Sequence, residues 1–71
     1  MKKYGSDEIG GLIKNTLLEQ NKTQAQCAIA MCTDKQTMRL IIDGYIMPSQ
    51  YQVFLFEEYT GVKIEPPKET E

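Results

Sequence analysis

The chain contains no histidine and only two cysteines, and its apolar runs, such as Leu40-Ile41-Ile42, are only a few residues long. Each shortage excludes a class of function. Cys27 and Cys32 stand five apart with no second pair, so a tetrahedral zinc site has too few ligands, and no metal or cofactor is expected. The same two thiols would sit on one helix and its following turn, where regular geometry does not bring them to bonding distance, and both read as small buried apolar residues. Catalysis lacks its parts as well: there is no imidazole base, no glycine loop to cradle phosphate, and no nucleophile with a base beside it. Glu57 and Glu58 are adjacent and therefore point different ways, so they form no acid/base pair. A non-enzyme without a small-molecule substrate is expected. A membrane span would need roughly 18 consecutive apolar residues. The start, Met1-Lys2-Lys3-Tyr4-Gly5-Ser6-Asp7-Glu8, has no apolar region of signal-peptide length after it. Together these lead to the expectation of a soluble, cytoplasmic protein.

What is present suits a small folded domain. Of the 71 residues 41% are hydrophobic and 25% charged, which is the ordinary globular balance. A chain this short buries only about 60% of its unfolded surface, so the core must be compact. One domain over residues 1–65 is expected, followed by a disordered acidic tail at 66–71. The net charge of −2 is unevenly placed. Residues 1–42 carry six Lys/Arg against four Asp/Glu, and residues 43–71 carry two against six. A phosphate-binding surface therefore belongs in the first part, near Lys14, Lys22, Lys35 and Arg39.

Four helices can be read from spacing and punctuation. Ser6 caps a first helix that runs to about residue 20, with Asp7 and Glu8 in its first turn and Ile9, Leu12, Ile13 and Leu17 along one stripe. The Gly10-Gly11 pair weakens it by roughly 1 kcal/mol per glycine. Thr23-Gln24-Ala25-Gln26 has the form of a capping box, and Thr33-Asp34-Lys35-Gln36 repeats it ten residues later. These place a second helix at about 24–31 and a third at about 34–43, with a tight turn around Cys32 and Thr33 between them. The third buries Met38, Ile41 and Ile42 and presents Lys35, Gln36 and Arg39; Leu40 points away from the buried stripe. Gly44 closes it, and Pro48 suits the first turn of a fourth helix reaching Tyr59. That helix bears more apolar residues than one packing face needs. Tyr51 and Phe54 are expected in the core, with Val53 and Phe56 left for a dimer interface. Gly61 stops the helix, and the alternation Val62-Lys63-Ile64-Glu65 allows a short strand before Pro66-Pro67.

Two short helices joined by a tight turn, the second bearing Lys, Gln and Arg near its start, form the unit that sets a recognition helix in the DNA major groove. Thr23-Gln24-Ala25-Gln26-Cys27-Ala28 resembles the Thr/Ser-Gln-x-x-Leu-Ala signature of the lambda-repressor-like and Cro families, with Cys27 in place of leucine. Gly44-Tyr45-Ile46-Met47-Pro48 and Glu57-Glu58-Tyr59-Thr60-Gly61-Val62 are similar to the Gly-x-Ile-Pro loop and Glu-x-x-Thr-Gly helix ending of the Cro and YdaS-like small phage and prophage regulators. The resemblance covers about residues 9–64. It departs at Cys32, where these families usually have glycine in the turn, and in the acidic balance, which suggests modest affinity dependent on dimerisation.

The resemblance implies an all-α, four-helix, helix-turn-helix regulator of transcription. It would bind a pseudo-palindromic operator in double-stranded DNA as a homodimer. Gln24 matches a residue that touches phosphate or braces the recognition helix, and Thr33, Lys35, Gln36 and Arg39 match the groove-facing set. The chemistry agrees: Arg and Lys pair with guanine O6 and N7, Gln with adenine N6 and N7, and Thr bonds phosphate or touches a thymine methyl. A rival use of the same fold is a protein-binding module, an antirepressor or antitoxin, acting through the fourth helix and the acidic C-terminal part.

Overall fold

A computed structural model describes residues 4–65; the expected acidic tail at 66–71 lies outside the described residues. The chain forms four helices, α1 (Asp7–Glu19), α2 (Gln24–Ala30), α3 (Lys35–Ile42) and α4 (Gln50–Thr60). There is no strand among the described residues. Instead of pairing as a strand, the Val62–Glu65 segment inserts Ile64, 1% exposed, into the core, so its alternation reflects one anchored side chain and not a ladder.

Each helix begins on a side chain that accepts from an orphan amide. Ser6 Oγ accepts from the Ile9 amide at 3.2 Å. Thr23 and Gln26 form the expected capping box, each accepting from the other's backbone at 3.1 Å. Ser49 and Gln52 form a second one at the start of α4, so Pro48 precedes the cap and does not enter the first turn. The α3 start differs from expectation: Asp34, not Thr33, is the cap, its Oδ1 accepting from the Thr37 amide at 2.6 Å.

The reason lies in how α2 ends. Cys32 adopts φ 56°, and the Cys32 and Thr33 amides donate back to the Ile29 and Ala28 carbonyls. This is the double bond pattern that closes a helix through one left-handed residue. Because the Thr33 amide belongs to that closure, α3 starts one residue later. Asn21, also at φ 56°, ends α1 in the same way, and Gly44 at φ 87° ends α3 with bonds from its own and the Tyr45 amides to Ile41 and Leu40.

The helices meet around one cluster: Ile9, Ile13 and Leu17 of α1, Cys27, Ala28 and Met31 at α2, Met38 and Ile41 of α3, Phe56 of α4, and Ile64. α3 packs against both α1 and α2, and α4 packs against α2. The glycine pair of α1 is not only a weakness. A Cβ at Gly10 would collide with the Ile42 carbonyl, so this glycine is what lets α1 approach the end of α3. Every buried side-chain N or O among the described residues has a partner.

Two expectations about α4 are reversed. Phe56, expected at a dimer interface, is fully buried, while Tyr51 and Phe54, expected in the core, are 62% and 56% exposed. Val53, the other interface candidate, is half-buried and packs against the core. The two cysteines also part company: Cys27 is buried, but Cys32 is exposed.

Candidate nucleic-acid interface

The candidate site is built on α3, whose two sides are sharply different. Met38 and Ile41 are fully buried, which fixes the helix rotation by hydrophobic contact on the α1 and α2 side. With 3.6 residues per turn, positions 35, 36 and 39 must then share the opposite side. Lys35, Gln36 and Arg39 are all exposed there. Leu40, half-buried, lies at the edge. The four-residue connection Met31–Asp34, held by the Cys32 and Thr33 amides and by the Asp34 cap, leaves α3 little freedom to turn relative to α2.

The remaining site candidates are less prominent. Gln24 and Thr33 are half-buried, Gln24 in the first turn of α2 and Thr33 in the connection. Lys14 is exposed on α1, but Lys22 is engaged elsewhere. Its Nζ donates to Gln20 Oε1 and lies 4.9 Å from the centre of the Tyr59 ring. Gln20 in turn donates to the Thr60 carbonyl at 2.8 Å. Together these tie the α1–α2 turn to the end of α4, so Lys22 serves the fold more than a ligand. Thr60 completes the tie, its hydroxyl donating to the Phe56 carbonyl and accepting from the Val62 amide.

Two carboxylates that had no role in the sequence-based site also flank α3. Asp34 and Asp43 are exposed at its two ends. The Thr37 amide donating to Asp34 holds that carboxyl below the ordinary carboxylate range, so it is charged at neutral pH. The α3 surface therefore offers two cations, two anions and one amide. A surface balanced in this way attracts the phosphate backbone weakly, and any preference it has must come from donors and acceptors meeting base edges. The acids could have been found: a cap residue in front of an exposed cationic helix must share its surface.

Burial pushes the Cys27 thiol up to about 11, which leaves it protonated and inert. Among the described residues no group of three or more His, Cys, Asp or Glu side chains could hold a metal ion, and no helix is long and apolar enough to cross a membrane. Compared with known proteins, the sequence matches no family model, no curated protein and no solved structure.

Proposed function

We propose that the protein is a cytoplasmic, sequence-specific DNA-binding regulator of transcription, without catalytic activity, that sets α3 in the major groove and acts as a homodimer on a pseudo-palindromic operator. The observation that carries this reading is the arrangement of α2 and α3. Two short helices are joined by a four-residue connection, and the second is anchored by Met38 and Ile41 so that Lys35, Gln36 and Arg39 project together from the opposite side. An exposed helix carrying a guanidinium, an ammonium and an amide within one turn has the donors that read guanine and adenine edges. The likeness of the Thr23–Ala28 and Gly44–Pro48 segments to Cro and YdaS-like regulators supports the same reading.

Selection of bound sequences from random double-stranded DNA with the purified protein tests it. The expected result is a pseudo-palindrome whose half-sites are centred about one helical turn apart. A protein-binding role, as an antirepressor or antitoxin, is favoured by one observation, the exposed aromatic side of α4 beside Glu57 and Glu58. Recovery of no sequence, together with no retention on heparin at low salt, would contradict DNA binding and leave the protein-binding role as the reading to pursue.

A further inference from the structure

The exposed side of α4 is as regular as its buried one. From Gln50 to Gly61 the exposed residues are Gln50, Tyr51, Phe54, Glu57, Glu58 and Gly61. Tyr51, Phe54, Glu57 and Gly61 stand three or four apart, as do Gln50, Phe54, Glu58 and Gly61, so together they form one broad stripe along the helix. Met47, in the loop before α4, is 40% exposed. Phe54 is the centre of this stripe and Tyr51 its neighbour, and burying either would remove a large apolar surface from water. The core does not do so.

We infer that this stripe pairs with the same stripe of a second copy of the chain, the two α4 helices running antiparallel with Phe54 at the twofold axis. The order of charge along α4 selects this occupant and this direction. α4 carries no Lys or Arg, its residues from Gln50 to Phe56 are uncharged, and both its acids fall in the second half. Parallel pairing would set Glu57 and Glu58 against Glu57 and Glu58 of the partner subunit. Antiparallel pairing about Phe54 sets Tyr51 against Glu57 of the partner subunit and Gln50 against Glu58 of the partner subunit. Each carboxylate then meets a hydroxyl or amide donor. Each also lies toward the N-terminal half of the opposing helix, where the unpaired amides favour negative charge. A cationic partner would answer the carboxylates but leave the uncharged half unmatched, whereas a second copy answers both halves. One helical stripe is small beside the roughly 800 Å² per partner of a standard interface, so the dimer is weak in the absence of DNA.

The inference deepens the paired-subunit part of the DNA-binding reading. It is tested without DNA, so it can fail while the contacts of a single α3 stand. Sedimentation equilibrium of the full chain is expected to show a reversible monomer–dimer equilibrium. Phe54→Glu, at an exposed position, should keep the helical circular dichroism and raise the dissociation constant about tenfold or more. Ile29→Glu, at a position 77% exposed on α2, should leave it unchanged. Direction is read by cross-linking in a Cys32→Ser background. Under air oxidation, a mixture of Tyr51→Cys and Glu57→Cys chains should form mixed disulfides faster than either forms its own. A monomer at every concentration, a dimer indifferent to Phe54→Glu, or faster self-linking of Tyr51→Cys would overturn the inference.

Discussion

Cys32 holds the turn between α2 and α3 at φ 56°, a conformation that crowds the Cβ of any residue but glycine. The position is set by the backbone bonds that close α2 and not by the thiol, which is exposed and free. Cys32→Gly is therefore expected to stabilise the protein by about 1 kcal/mol. Thermal unfolding checks this: the midpoint should rise by about 5 °C, and a fall would contradict the assignment of strain. At Asp34 the folded carboxyl is held below its ordinary value by the Thr37 amide. A group whose folded pKa is depressed contributes stability that is complete above its unfolded value of about 3.9 and disappears as pH falls through the folded one. Asp34→Ala should accordingly lower the unfolding midpoint at pH 7, and the gap to the parent should narrow as pH falls below about 4, where the carboxyl keeps only its neutral acceptor. A gap undiminished in acid would contradict a charged cap. The sequence placed this cap one residue early because Thr33-Asp34-Lys35-Gln36 satisfies the capping-box pattern. The pattern cannot show that the Thr33 amide is already committed to the end of α2.

Among the elements, α1 and α3 were legible because each has an apolar stripe and a capping signal before it, and α2 because a capping box opens it and a tight turn closes it. Ile9, Ile13, Leu17, Met38 and Ile41 were all readable as core and are all buried. α4 was readable as a helix but not in rotation. Apolar residues occur all round it, so hydrophobic period alone leaves the buried side open. The signal that fixes it is polar: Glu57 and Glu58 must face water, and Phe54 lies three and four residues before them, on their side. Phe56 is left as the buried aromatic. Phe56→Ala should cost about 3–5 kcal/mol, a large share of the roughly 5–15 kcal/mol that stabilises a typical domain, whereas Phe54→Ala should change the stability of the monomer by less than about 1 kcal/mol. Urea denaturation of the two variants distinguishes them, and equal losses would mean that α4 is rotated from the position described. The C-terminal alternation failed for a related reason. Strand period without a neighbouring strand to pair with gives only an extended segment, anchored here through Ile64.

For the whole molecule, the uneven charge read from the sequence gains a structural meaning. The helix proposed to enter the groove lies in the part with excess Lys/Arg, and α4, with its two acids and no cation, lies in the other. Yet α3 is itself balanced by Asp34 and Asp43, so phosphate attraction is modest and base contact must supply preference. The location of Lys35, Gln36 and Arg39 on one exposed side was legible from helical spacing alone. What was not legible was the exposed side of α4 on which the proposed pairing rests, because it depends on the rotation of that helix. The measurement that bears most directly on the proposed function is a titration, at one fixed salt concentration, of the selected operator and a random duplex with the parent protein and with Gln36→Ala and Arg39→Ala. Each substitution is expected to weaken operator binding by about 1–3 kcal/mol while changing random-duplex binding far less. Equal losses on both duplexes, or no loss on either, would contradict base reading by α3.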